Sequence, residues 1–256
     1  MESLFIAKAP VDKVIELDNQ IFLLKLYCPQ ISTIIKPGEF LNVRVSESNY
    51  PLLRRPFSVC DVEGDFFYLM FNILGEGTKI LSEKRNGEII DVIGPLGNGF
   101  NLDGEFGTAI IAAGGLGAAP FPYVIRRLNE KKNVKCFIGG KTNKDIIIHG
   151  MKNISIATED GSLEFQGNVI QLLREKVDAL RTEKIKIFGC GPTAMLRRLK
   201  EFAVENNFDC EVSTECPMAC GFGICQGCPI ENVNNPNKYF LVCKDGPVFN
   251  VKDVAI

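Results

Sequence analysis

Four cysteines near the carboxyl end carry the clearest chemistry in this sequence. Cys220, Cys225, Cys228 and Cys243 read as C-x4-C-x2-C followed by a distant fourth cysteine, the spacing at which thiolates hold a plant-type 2Fe-2S cluster. Four thiolates also suit structural zinc, but zinc ribbons usually pair two short knuckles, and this segment has a single Cys-x2-Cys. Gly221, Gly223 and Gly227 lie among the candidate ligands, where small residues leave backbone N–H groups free to point at sulfur. Cys216 stands outside the pattern, as a spare buried thiol or as a ligand only in a shifted register. The single histidine, His149, has no carboxylate or nucleophile partner visible in sequence. One histidine excludes Rieske ligation, the facial triad of non-haem iron and polyhistidine zinc within one chain.

Upstream, several turns are suited to phosphates and rings. Arg54-Arg55-Pro56-Phe57-Ser58 puts guanidinium beside hydroxyl at the start of a strand, where arginine can pair bidentately with a pyrophosphate; a surface arginine capping a turn fits these residue types as well. Gly75-Glu76-Gly77-Thr78 opens a helical stretch and offers either phosphate-directed N–H groups or a plain glycine turn with Thr78 as N-cap. Gly114-Gly115-Leu116-Gly117, followed by Pro120, joins a strand to a helix. It permits close backbone approach of a pyrophosphate, although proline stands where the dinucleotide fingerprint has its third glycine. Gly189-Cys190-Gly191-Pro192 makes a second such turn, with a small cysteine at the carboxyl end of a strand and a proline suited to the first helical turn.

The elements that must position these groups change character along the chain. Phe22–Tyr27, Phe40–Val45, Phe57–Val62, Phe66–Phe71 and Glu88–Ile93 are short, β-branched and aromatic runs between turn signals, which predicts an antiparallel β-barrel over residues 1–102 with one helix from about Thr78 to Lys84. Residues 103–208 alternate strands (108–113, 134–138, 154–157, 185–188) with helices (to about Lys131, 169–177, 192–205), the grammar of an α/β parallel sheet. After about Asp209 periodicity fades into Cys, Gly and Pro. Residues 209–256 therefore read as a small segment folded around its metal. The expected fold class is multi-domain.

The 256 residues, 46% hydrophobic and 23% charged with a formal net charge of −2, belong to an ordinary globular chain and give no electrostatic reason for a nucleic acid or membrane partner. No basic, apolar leader opens the sequence and no run approaches a membrane span, so a cytoplasmic place is expected. Ten cysteines at this length point to redox or metal chemistry rather than disulfides.

The order of motifs, Pro37-Gly38-Glu39-Phe40, Arg55-Pro56-Phe57-Ser58, Gly77-Thr78 and Gly94-Pro-Leu-Gly97, resembles the FAD-binding barrel of the ferredoxin reductase superfamily. The resemblance implies FAD contacts at Arg55, Pro56, Phe57, Ser58, Asn72, Ile73, Gly77 and Thr78. It implies a nicotinamide dinucleotide at Gly114, Gly115, Gly117, Pro120, Gly191 and Pro192, with Cys190 beside the nicotinamide and flavin rings but not as a covalent nucleophile. The ending Glu215-Cys-Pro-Met-Ala-Cys-Gly-Phe-Gly-Ile-Cys-Gln-Gly-Cys, then Cys243-Lys-Asp-Gly-Pro-Val-Phe249, is similar to the electron-transfer subunits of NAD-dependent dihydroorotate dehydrogenase B. That family implies metal ligation by Cys220, Cys225, Cys228 and Cys243, and electrons running between NAD and an FMN-containing dihydroorotate-oxidising subunit, two copies of each. Hydride moves two electrons and a 2Fe-2S cluster one, so a flavin must convert between them. Such a chain meets its partner on the exposed side of the 216–228 loop, where Met218 and Phe222 are the expected contacts. The alternatives are a reductase subunit joining NAD(P)H to a ferredoxin or hydrogenase and, from another class, a zinc-stabilised nucleotide-binding regulator. Lys141-Thr-Asn-Lys144 fits a 2′-phosphate or a solvated loop equally, leaving NADH against NADPH open.

Overall fold

Alternation of apolar and polar side chains closes the first part of the chain on itself. In the computed structural model, which describes residues 4–128, 131–180 and 183–256, six strands form a barrel: β1 (Phe5–Glu16), β2 (Ile21–Tyr27), β3 (Phe40–Arg44), β4 (Arg55–Glu63), β5 (Phe66–Asn72) and β6 (Ile89–Leu96). They run in the closed order β1-β2-β5-β4-β3-β6, antiparallel throughout. Leu24, Leu41, Val43, Phe67 and Leu69 are fully buried in its interior. Two short helices, α1 (Pro29–Ser32) and α2 (Glu76–Ser82), accompany the barrel.

The expected barrel strands are present, and β1 is an addition. Its 12 residues contain Pro10 and a register shift between Val11 and Lys13, so the two-residue alternation that marks a strand is broken in sequence. Helix α2 begins before Thr78, with Gly75 at its N-cap; the Thr78 hydroxyl accepts from the N–H groups of Leu74 (2.9 Å) and Gly75 (3.3 Å). Thr78 therefore works from inside the first turn, which corrects its reading as the N-cap.

The second part is a sheet of seven strands. β7 (Thr108–Gly114), β8 (Asn133–Gly140), β9 (Ile154–Thr158), β10 (Phe165–Gln166), β11 (Ile185–Cys190) and β12 (Asp209–Ser213) are parallel. Helices α3 (Phe121–Leu128), α4 (Val169–Leu180) and α5 (Thr193–Glu205) connect them. The stretch expected to stay helical to about Lys131 crosses residues 129 and 130, which lie outside the described residues. Pro192 takes the N-cap of α5, one position before the first helical turn it was expected to enter.

β12 corrects the expectation that regular structure fades after about Asp209. Cys210 and Val212 face the core while Asp209 and Glu211 meet Lys186, so a five-residue alternation hides between acidic residues. Beyond it, β13 (Pro229–Glu231) pairs with β14 (Tyr239–Leu241), and β15 (Val248–Asn250) adds to the sheet antiparallel to β12. The tail is also sewn to the barrel: Asn98 donates its backbone N–H to Gly246 O (2.6 Å) and its amide to the carbonyls of Lys244 and Asp245. Among the described residues, no helix is long and apolar enough to cross a membrane.

Candidate functional site

A cleft opens where the barrel, the carboxyl ends of the parallel strands and the cysteine segment meet, the place at which open α/β sheets receive ligands. The barrel contributes Pro56, Phe57 and Ser58 from β4, Asn72 at the end of β5, and Thr78; the sheet contributes Pro120 and Cys190; the tail contributes Glu215, Cys216 and Met218. Glu215 is the only charged residue in this lining, which suits a neutral planar ring. Asn72 Oδ1 is buried without a hydrogen-bond partner. A bound ring with N–H donors satisfies such an orphan, which otherwise costs free energy.

The two adjacent arginines divide. Arg54 reaches back across the barrel to donate to the carbonyls of Asn42 and Asp91 and to the Asp91 carboxylate. Although burial raises the Asp91 pKa, Arg54 and Lys8 together hold it below its ordinary value. Arg55 instead lies beside Gly77, its Nε 3.3 Å from where a Cβ would stand. Gly77 in the first turn of α2 thus lets the Arg55 guanidinium approach the backbone there. Ile73 is 38% exposed and does not line the cleft.

In the sheet, the glycines of the two turns pack against one another. A Cβ on Gly117 would stand 2.4 Å from Cys190 O, and one on Gly114 would stand 2.7 Å from Met195 Sδ and 3.0 Å from Pro192 Cδ. Backbone contact between the turns therefore requires these glycines, and it brings Cys190 to the cleft floor. Burial, strengthened by the Glu215 charge, pushes the Cys190 thiol up to about 12. It is a small neutral group at neutral pH and no nucleophile. Gly115, Gly191 and Pro192 do not line the cleft. The loop ends at 141–144 and 158–162 are joined by Asn143 N donating to Ser162 Oγ (2.9 Å). His149 is exposed and borders a separate groove with Glu16 and Asp18.

The four spaced cysteines fall into two pairs. Cys228 Sγ and Cys243 Sγ are 3.1 Å apart and buried with Phe40, Leu96, Val242 and Phe249. Cys220 lies within hydrogen-bond reach of Cys225, nearer the surface, and Cys225 is exposed. Among the described residues, no three His, Cys, Asp or Glu side chains converge as a single-ion site. Two thiolates for each of two irons is the arrangement a 2Fe-2S cluster requires, so the donor set fits that group better than one tetrahedral zinc. Burial raises Cys220, but N–H groups of Cys225, Phe222 and Ile224 outweigh it and bring the thiol down to about 6. Burial and the neighbouring Cys228 push Cys243 up to about 12.

One barrel strand holds both sites. Phe40 on β3 walls the cleft and belongs to the same buried cluster as Cys228 and Cys243. Two residues on, and so on the same face, Asn42 is 1% exposed and donates from Nδ2 to Cys220 O at 2.9 Å. Gly221 crosses this amide with φ +82°, and a Cβ there would stand 2.5 Å from Asn42 Nδ2. Replacing Asn42 with leucine leaves a buried carbonyl unpaired, at about 1–3 kcal/mol. The expected result is amide hydrogen exchange in residues 221–224 faster by about tenfold or more; unchanged exchange would show that the clamp does not hold the loop.

Phe40, Met70, Phe71, Leu116 and Glu215 also line the cleft and were missed as site residues. The pairing of Phe40 with Ser58 across β3 and β4 was the signal available for the first, through the Pro-Gly-Glu-Phe motif. Glu215 and Cys216 belong to the carboxyl-terminal motif, but nothing in their spacing places them at the cleft.

Known proteins resemble this chain in sequence and in fold. Residues 215–255 match the iron-sulfur cluster binding domain of dihydroorotate dehydrogenase B. The chain is 35% identical over 239 residues to the dihydroorotate dehydrogenase B (NAD(+)) electron transfer subunit of Desulforamulus reducens, covering 89% of this chain and 90% of that one. It is 36% identical over 252 residues to the same subunit of Bacillus velezensis, covering 94% and 95%. Among solved structures, an NADH-dependent reduced ferredoxin-NADP oxidoreductase superposes with a TM-score of 0.82 at 25% identity over 97% of this chain and 90% of the other. A ferredoxin NADP+ reductase from Neisseria gonorrhoeae with bound FAD and NADP has a TM-score of 0.63 at 14% identity, over 78% and 91%, and shares the fold.

Proposed function

The chain belongs to the family of electron transfer subunits of NAD(+)-dependent dihydroorotate dehydrogenase B, and on that premise we propose how its own residues carry electrons. It is an oxidoreductase subunit that passes electrons between NAD and a catalytic partner through FAD and a 2Fe-2S cluster. When bound, FAD supplies the exchange between a two-electron hydride carrier and a one-electron cluster.

Pro56, Phe57, Ser58, Asn72 and Thr78 hold the flavin ring, and Arg55 with Gly77 takes its pyrophosphate while Ile73 flanks it. Gly114, Gly115, Gly117, Pro120, Gly191 and Pro192 receive the nicotinamide dinucleotide. Cys190, small and neutral, would leave space in the cleft for the flavin and nicotinamide and would place no charge beside them. Cys220, Cys225, Cys228 and Cys243 ligate the cluster. The observation that supports this reading is the position of Phe40 on β3, which lines the ring cleft and belongs to the same buried cluster as Cys228 and Cys243.

The partner in our reading is an FMN-containing subunit that oxidises dihydroorotate, two copies of each chain, in the cytoplasm, where all ten cysteines stay as free thiols or metal ligands. Its docking surface surrounds the exposed cysteine pair. Met218 also lines the cleft; beside it Phe222 (37% exposed), expected as a contact from sequence, and Ile224 (75% exposed) are the more exposed apolar residues of this loop. Visible spectra with iron, sulfide and flavin analysis test the cofactors, and NADH oxidation with and without a dihydroorotate-oxidising subunit tests the coupling. Ile224→Glu is expected to weaken partner coupling about tenfold, the scale of one interface anchor, with flavin reduction by NADH unchanged. Equal loss of both reactions would place the docking surface elsewhere.

A further inference from the structure

Cys216 satisfies no ligand spacing, yet it sits between the two cofactor sites. It is half-buried, lines the ring cleft, and packs into the apolar nest that holds Cys228 and Cys243. Its thiol neighbours the Cys228 side chain within that nest. The cysteines differ in how their sulfurs are supported. Cys220 receives backbone N–H donors from the 222–225 turn, and Cys243 receives that of Gly223 at 3.1 Å. Among the described residues, Cys228 receives no backbone donor.

We propose that the Cys216 thiol donates a hydrogen bond to the Cys228 sulfur and so raises the affinity of the cluster for its electron, from a position that also walls the flavin cleft. The inference rests on the 2Fe-2S reading above and deepens it. Hydrogen bonds to ligand sulfur stabilise the reduced, more negative cluster and are one of the levers that set its potential. Cys216 supplies the donor that the backbone does not. The step is a one-electron change on the cluster; no bond is made or broken and the proton stays on Cys216. Cys216 is thus a positioning residue, acting through Cys228.

The test is a redox titration of the full-length loaded protein followed by electron paramagnetic resonance, with Cys216→Ala and Cys216→Ser. Absence of a reducible 2Fe-2S signal in the unmutated protein would overturn the cluster reading itself. With the signal present, Cys216→Ala is expected to lower the equilibrium constant for cluster reduction about tenfold, about 59 mV for a one-electron couple. Cys216→Ser keeps a donor and is expected to stay within about threefold of the unmutated protein. An unshifted alanine variant, or equal shifts in both variants, overturns the hydrogen bond. Loss of iron from Cys216→Ala together with its retention in Cys228→Ala would make Cys216 a ligand and overturn the proposal as well.

Discussion

Cys243→Ser is expected to empty the cluster site while leaving the flavin in place. Cys243 is 1% exposed and its sulfur meets Cys228 Sγ at 3.1 Å and Gly223 N at 3.1 Å. Its segment is fixed on every side: Val242 N bonds Cys228 O, Leu241 N bonds the Asp245 carboxylate at 2.7 Å, and Asn98 ties 244–246 to the barrel. A serine hydroxyl in this apolar nest has no means of ionising, and the fixed backbone cannot bring another donor in its place. Iron and sulfide content should fall at least tenfold, within the range by which weaker perturbations of a metal site reduce affinity, and transfer to the partner should fall with them. Cys243 does not line the ring cleft, so flavin content and its reduction by NADH should persist. Cys225→Ser, at the exposed end of the other pair, is expected to keep part of its iron because solvent reaches it. Full iron and sulfide in Cys243→Ser would remove the fourth cysteine from the ligand set.

What the sequence made legible follows from the range over which each feature is determined. The ligand cysteines lie within 24 residues of one another and their spacing is local, as are the glycine turns that begin α2 and α3. The two arginines illustrate the limit. Arg54 and Arg55 are equivalent as neighbours in sequence, and only Asp91, 37 residues away from Arg54, decides that Arg54 braces the barrel and Arg55 lies by Gly77. Phe40 and Asn42 were likewise unreadable as partners of the cysteines, because the contact of Asn42 with Cys220 spans 178 residues. β12 was hidden because its alternation is only five residues long and includes two acidic residues, which are poor strand formers.

A buried lysine on the strand beside β12 carries the largest expected effect on stability. Lys186 is 3% exposed on β11, and its ammonium meets Glu211 Oε1 at 2.9 Å, Asp209 at 3.5 Å and the carbonyl of Asn101 at 2.8 Å. Asn101 returns its own N–H to Glu211 Oε2 at 2.9 Å. The ring of four groups therefore joins two sheet strands to the segment that leaves the barrel. Next to it Phe188 packs edge-on against Phe100, which stacks on Phe121, so the same joint is apolar on its other side. Lys186→Met fills the space but leaves the largely buried Glu211 (13% exposed) without its cation, and breaking one partner of a buried pair costs about 3–5 kcal/mol. Urea unfolding followed by far-ultraviolet circular dichroism is expected to show that loss. Replacing the pair together, Lys186→Met with Glu211→Leu, should recover most of it, because no lone charge then remains. A single variant weaker by less than about 1 kcal/mol would show that the charge is solvated and that the aromatic contacts alone fix the joint. The angle between barrel and sheet decides whether Cys190 and Pro120 face Pro56 and Ser58 across one cleft. The single variant should therefore also slow flavin reduction by NADH, and the double variant should restore it.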